Sequence, residues 1–545
     1  MTIRQAEFQT HVVANQPPPF FPRDLWADDA ALREAVAREG GAAFAPRLAV
    51  YGALAGDALP RLADEAHRDR PRLHTHDRHG QRIDRVEFNA AWHEVMGAAI
   101  AHGVAGLSWH EASPGAHVAR AALSYLHYQA EPGSSCPLTM THASIPVLRR
   151  EPALREWAHK AAMPHYDGRD APMAGKRGVT LGMGMTEKQG GSDVRANTTR
   201  ATPLAADGEY ALVGHKWFFS APMSDAFLVL AHAPGGLSCF LLPRWRPDGG
   251  KNALRLMRLK DKLGDWSNAS SEVEFEGAWA RRIGEEGRGI ATILEMVMLT
   301  RLDCMLGSAG LMRLALAQAA HHARHRNAFG KRLIEQPLMR NVLADLALES
   351  EAATAFALRV AGAVDRASHD PHEAAFARIA TAIGKYWICK RAAGFANEAQ
   401  ECLGGAGYVE DSGLPRLYRQ APLNSIWEGS GNIQCLDVLR ALAKEADAGA
   451  AMLAELQPAA GIDAAFDAAL ADAQARLAQG VDEAAARAFV ERLALLLQAA
   501  ILLRAGIPLA GAYCRSRLGD GRGATYGTLA NGIDGDIAIA RILPA

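Results

Sequence analysis

The chain has 545 residues, 49% of them apolar and 22% charged, with a formal net charge of −1. That length exceeds one ordinary domain and predicts three or four folding units, and near-neutrality excludes a global basic field that would draw the protein to nucleic acid or anionic lipid. The seven cysteines are scattered without a CxxC pair, which argues for reduced thiols and against a zinc or disulfide scaffold.

The opening residues 1–7 lack the apolar core of a signal peptide, and the most apolar late run, Leu493 to Leu503, is too short to span a bilayer. A cytoplasmic protein is expected. Residues 1–30 are irregular around the proline cluster at 17–22. From about 30 to 165, Ala- and Leu-rich segments at helical spacing predict a helical domain. Between about 178 and 282 the runs shorten and become rich in β-formers, with turn signals at Asp207-Gly208 and Pro234-Gly235-Gly236. Long helices return over Ile290–His325, Leu338–Arg366 and Pro371–Cys402, and an Ala-rich helical tail follows. The expected units are residues 1–180, 181–287, 288–445 and 446–545. Helical, β, helical, helical is an order that argues against a Rossmann alternation.

Five segments carry candidate chemistry. In Met183-Gly184-Met185-Thr186-Glu187-Lys188-Gln189-Gly190-Gly191-Ser192-Asp193 the glycines allow close backbone approach, and Thr186 and Ser192 offer hydroxyls to the polar edge of a planar ligand. A Gly-rich surface loop is the alternative. In Trp217-Phe218-Phe219-Ser220, three consecutive aromatics cannot all face one core from a strand, so one of them meets a flat ligand or the strand is buried on both faces. Arg326-Asn327-Ala328-Phe329-Gly330 closes a long helix, and its arginine suits a pyrophosphate or the helix dipole. Leu403-Gly404-Gly405-Ala406-Gly407-Tyr408 suits a diphosphate or a helix cap. Last comes Ile426-Trp427-Glu428-Gly429-Ser430-Gly431-Asn432, which sets one carboxylate among apolar and glycine neighbours. Desolvation there makes Glu428 a stronger base. His321 and His325 lie one helical turn apart, but no third ligand is spaced to help them, so helix-end dipole partners are expected and no metal.

In this order the five segments resemble the acyl-CoA dehydrogenase family of flavoproteins. The wording of the first, second and fifth segments, with the Asn15-Gln16-Pro17 opening and the extra C-terminal domain, resembles the AidB-type adaptive-response branch. The resemblance implies a mainly α fold with an inserted β-domain: N-terminal helices, a middle β-barrel or sandwich, a C-terminal helical bundle, then a further helical domain. It implies FAD as cofactor and a homotetramer. Met183, Met185, Thr186, Gly191, Ser192, Trp217, Phe218, Phe219, Ser220, Gly404, Gly405, Ile426, Trp427, Gly429, Ser430 and Asn432 are the implied cofactor contacts, with Phe218 and Ser220 flanking the ring. Arg326 and Phe329 are implied to reach the FAD of a partner subunit, and Glu428 to remove the α-proton of an acyl thioester.

Several positions depart from the family pattern. Trp427 stands where tyrosine is common, Glu401 where a glutamine precedes the glycine pair, and Asp303 two residues after Arg301, the match to an arginine near the coenzyme-A site. If Asp303 faces the cleft it disfavours a polyphosphate there, and at most weak turnover is expected. The branch is also associated with double-stranded DNA in the response to alkylation. Residues 448–545 hold eight arginines, no lysine and ten acidic residues, and Arg504, Arg515, Arg517 and Arg522 are the candidate phosphate contacts. An ordinary acyl-CoA dehydrogenase without a DNA role is the alternative.

Overall fold

The computed structural model describes residues 10–519, 523–530 and 535–544. The N-terminal unit holds α1 (Ala30–Arg38), α2 (Ala45–Ala55), α3 (Ala58–Arg68), the hairpin β1 (Arg72–His76) and β2 (Arg82–Glu87), then α4 (Ala90–His102), α5 (Leu107–His110), α6 (Ala116–Ala130), α7 (Pro132–Arg149) and α8 (Arg155–Ala162). The hairpin interrupts the helical run expected for this region. Its strands show outer faces that are mostly polar and exposed, so no period-two apolar pattern announces it.

The middle unit contains β3 (Leu181–Gly184), β4 (Arg200–Pro203), β5 (Glu209–Ser220), β6 (Ala226–Ala233), β7 (Gly236–Pro243), β8 (Leu254–Leu259) and β9 (Ser270–Ile283). The strands run β3-β6-β4-β5-β9-β7, β8 adds to β9, and a β6–β7 pairing links the sheet back on itself. Phe219, Phe227, Phe240 and Phe275 fill the core of this β-unit.

Three long helices follow: α9 (Gly289–His325), α10 (Pro337–Arg366) and α11 (Pro371–Leu403), with the short ribbon β10 (Asn327–Ala328) and β11 (Lys331–Arg332) after α9. Proline at the first turn of α10 and α11, and the Asp370 carboxylate accepting from His372 and Glu373 N–H, explain where these helices start. α9 is buried on every side from Thr300 to His321, as befits the central helix of a bundle. α12 (Leu414–Gln420) and α13 (Gly431–Lys444) frame the Glu428 loop, and α14 (Ala446–Leu456), α15 (Ala464–Gln479), α16 (Ala486–Arg504), α17 (Ala510–Arg517) and α18 (Gly535–Ile542) form the C-terminal unit. That unit shares one apolar core with α6, α9, α10 and α11. A second apolar cluster joins α7, α8 and the start of α9 to β3, β6 and β7, and the candidate site lies against it.

Candidate active site

Glu428 sits in the turn between α12 and α13 with φ +59°, followed by Gly429 at φ +95°. A left-handed non-glycine residue costs about 1–2 kcal/mol, so it persists only where its surroundings hold it. Three helices do so through the carbonyls. Lys385 of α11 donates to Trp427 O at 2.7 Å and to Gly429 O. Arg301 of α9 donates from Nε to Glu428 O at 3.0 Å, while its Nη1 pairs with Asp437 at 2.8 Å. Gln434 of α13 donates to Glu428 O at 3.1 Å and Gly429 O at 3.0 Å. The carbonyls are thereby spent, while the Glu428 N–H donates to no group among the described residues.

The carboxylate accepts one hydrogen bond, from Thr300 Oγ1 at 2.8 Å. Burial raises its pKa above the ordinary carboxylate value, against the opposing pull of Thr300, Arg301 and Lys385. Trp427 is fixed by its indole N–H donating to Asn424 Oδ1 at 2.9 Å, and Asn424 in turn donates to Ser308 Oγ at 3.2 Å. Like Met183, Met185 and Leu299, Trp427 is half-buried against the second apolar cluster.

The β-unit supplies the facing wall. A bulge between Lys216 and Phe219 breaks the alternation of β5. Phe219 therefore turns fully into the β-core, where it packs on Phe227 at 4.2 Å. This corrects the expectation that its side chain meets a cofactor. Phe218 turns outward and stays 53% exposed, a large aromatic left uncovered at the end of a core strand. Lys260 Nζ lies 4.6 Å from the Phe218 ring and 3.4 Å from that of Trp217. Thr186 O accepts from Trp217 N at 2.8 Å, joining the Gly-rich loop to this strand, and an added Cβ at Gly191 would meet Thr186 Oγ1 at 2.8 Å. Behind the loop, the buried Glu187 carboxylate takes Lys216 Nζ at 2.7 Å together with Thr198 and Thr199. Ser192 is exposed, and Ser220 is half-buried.

Other expected residues lie apart. Arg326 ends α9 and donates to Asn15 O at 2.7 Å, and Phe329 is 98% exposed at the tip of the β10–β11 ribbon. Gly404 and Gly405 stand in open space beyond α11, beside an exposed Tyr408. Ile426 and Ser430 are exposed, and Asn432 faces the C-terminal unit, where its Oδ1 accepts from Arg487 at 2.7 Å. His321 donates from Nε2 to Pro18 O at 2.9 Å and His325 from Nδ1 to His321 O at 2.8 Å, and the described residues contain no metal-binding group of His, Cys, Asp and Glu.

Asp303 and Arg517 are both buried. Asp303 does not face the cleft: it is buried in a bidentate pair with Arg120 of α6 and also accepts from Thr139 at 2.5 Å. Arg517 is no surface contact either, because it lies buried against Asp345 at 2.5 Å and Glu349 at 3.3 Å of α10. Arg504 pairs with Glu455 at 2.8 Å, Arg515 is exposed, and Arg522 falls outside the described residues. Thr300, Lys385 and Gln434 escaped notice in the sequence. A lone lysine inside the buried stretch 376–389 of α11 was the one available signal.

The segments that build this site also match known proteins. Residues 15–168 match the Adaptive response protein AidB N-terminal domain, 182–278 the acyl-CoA dehydrogenase middle domain, and 287–443 the acyl-CoA dehydrogenase C-terminal domain. The chain is 49% identical over 524 residues to AidB of Escherichia coli (strain K12), covering 95% of this chain and 96% of that one. The chain belongs to the acyl-CoA dehydrogenase family, in its AidB branch. Within the family, member 11 of Caenorhabditis elegans is 32% identical over 432 residues, 76% of this chain and 69% of that one. The crystal structure of C. elegans ACDH-11 in complex with C11-CoA superposes with a TM-score of 0.85 at 25% identity, over 99% of this chain and 93% of that one. An acyl-CoA dehydrogenase of Bacillus anthracis complexed with FAD shares the fold at a TM-score of 0.64, 18% identity and 78% and 79% coverage. The mainly α architecture with an inserted β-domain is thus the family's fold.

Proposed function

We propose that the chain binds FAD and dehydrogenates an acyl thioester, with Glu428 as the base. FAD, when bound, supplies the acceptor for the hydride. The residues present suit such a group: an uncovered aromatic at Phe218, hydroxyls on Thr186, Ser192 and Ser220, and an apolar wall of Met183, Met185 and Trp427. Gly191 leaves the Thr186 hydroxyl accessible, since a side chain there would crowd it. The reading is carried by the Glu428 turn, where three helices hold the carbonyls and leave an N–H and a desolvated carboxylate at one residue. The N–H donates to the thioester carbonyl and stabilises the negative charge that develops when the carboxylate takes the α-proton. Asp303, neutralised inside the bundle, leaves the cleft open to an anionic coenzyme. Anaerobic titration with a panel of acyl-CoA thioesters tests the reading. Bleaching of the flavin that disappears in Glu428→Gln supports it, and no bleaching with any thioester overturns it.

The projecting ribbon with Phe329 and Arg326 suits a second copy of the chain, in line with a homotetramer completing the cofactor site. Double-stranded DNA binding is a second reading, which the resemblance to the adaptive-response branch implies. Among its described arginines Arg504 and Arg515 are exposed, and of these Arg504 is already paired with Glu455. Retention on duplex DNA that falls steeply with salt and weakens in Arg515→Ala supports that reading. Salt-independent or absent retention removes it.

A further inference from the structure

The hydroxyl of Ser220 does not stand alone. Ser220 ends β5 and lies directly opposite Ser270, the first residue of β9, and their Oγ atoms are 3.0 Å apart. Behind Ser270 stands Lys262, in the loop between β8 and β9. Its Nζ donates to Asn268 O at 2.7 Å and points a second proton at Ser270 Oγ over 3.4 Å. Trp266 locks the loop by donating from Nε1 to Lys262 O at 2.8 Å.

The donor inventory permits a chain that runs from Lys262 through Ser270 to Ser220. An ammonium has only protons to give, so Ser270 Oγ is an acceptor toward Lys262 and its own proton is free to go to Ser220 Oγ. Ser220 then accepts from Ser270, and its remaining proton is available outward, on the wall that carries Phe218. Each link polarises the next, which strengthens the last donor in a low-dielectric setting. Burial lowers the Lys262 pKa, while the carboxylates of Asp265 and Glu131 favour its charged form. The Cys136 thiol of α7, itself pushed up to about 12 by burial, lies within the field of Lys262 and beside Ser220, so it does not compete as an anion.

We infer that Lys262 is a positioning residue that, through Ser270, fixes the Ser220 hydroxyl as a hydrogen-bond donor to the flavin edge and so raises the flavin's reduction potential. The inference rests on the FAD reading above. Reduction puts negative charge on the ring, and an oriented hydroxyl backed by a cation favours that state over the oxidised one.

The test is the potential of the FAD-loaded full-length protein, read from flavin absorbance in equilibrium with a reference dye. Lys262→Met and Ser270→Ala are each expected to lower the ratio of reduced to oxidised flavin at a fixed dye poise about tenfold, the size of one charge-assisted hydrogen bond, or about 30 mV for a two-electron couple. Lys262→Arg is expected to restore most of it. Ser270→Ala removes a single oxygen and keeps the question answerable if Lys262→Met does not fold. FAD-loaded Lys262→Met or Ser270→Ala with the wild-type potential overturns the inference alone, because a merely structural lysine leaves the potential unmoved. Wild-type protein that takes up no FAD overturns the FAD reading and this inference with it.

Discussion

At Glu428 the surroundings make charge costly while leaving it one donor, Thr300. The raised pKa has two consequences. The base is active only when ionised, so kcat/KM should climb with pH through a range above that of an ordinary carboxylate. Thr300→Val removes the donor that favours the ionised form, and the acidic limb of the pH profile should then move further up. A limb that stays in place shows that Thr300 does not govern the base. The folded state also holds this proton more tightly than the unfolded state, so the carboxyl favours folding below its unfolded pKa, and that contribution is lost as pH rises through the folded value. Glu428→Gln should therefore lose at least ~10²-fold in flavin reduction rate without losing thermal stability at neutral pH. A lower melting temperature would instead mark the carboxylate as a structural group.

Among the elements, the turn between α12 and α13 depends on helices far from it in sequence. Lys385 serves two carbonyls from the middle of α11, and Lys385→Met leaves Trp427 O without its donor and Gly429 O with Gln434 alone. Each unsatisfied buried carbonyl costs about 1–3 kcal/mol, so the variant should melt earlier and lose activity together, as seen by calorimetry and flavin bleaching. Wild-type stability in that variant would mean that Arg301 and Gln434 hold the turn by themselves. This dependence also explains what could be read in advance. α9, α10 and α11 were legible because helical spacing and a proline at the first turn of the latter two are local signals, and Glu428 because glycines and aromatics flank it in sequence. Its partners were not legible as such: Thr300, Lys385 and Gln434 carried no mark, Arg301 was marked only by resemblance to a coenzyme-A contact, and the four come together only through the packing of three helices. The bulge that sends Phe219 inward and Phe218 outward was equally hidden, since it is a matter of register between β5 and β9. The Arg326–Arg332 ribbon makes a contrasting case. Phe329 contacts solvent over nearly its whole surface, so Phe329→Ser should leave the chain's own melting unchanged within about 0.5 kcal/mol while weakening assembly, as measured by sedimentation. Unaltered assembly would remove the ribbon from the subunit interface.

Across the whole molecule, the described residues of 446–544 are bound to the body by ion pairs, most of them buried, rather than hung from it as a separate module. Arg517 reaches Asp345 and Glu349, Arg541 reaches Glu351 and Glu34, and Arg359 of α10 reaches Glu455. The apolar core is continuous across the same boundary. Arginine in this part of the chain thus does structural work, and that changes how its variants must be read. Arg517→Ala leaves two buried carboxylates short of a partner, although Arg391 still reaches Glu349 and the Gly527 N–H still reaches Asp345. Breaking a buried pair from one side typically costs about 3–5 kcal/mol. The variant should therefore show a clearly lowered melting temperature in calorimetry, and any loss of DNA retention it shows reports on folding. Arg515→Ala, with an exposed side chain, should keep the wild-type melting temperature, which makes it the variant that isolates phosphate contact from stability. If Arg517→Ala melts as the wild type does, the C-terminal unit does not depend on that pair for its docking.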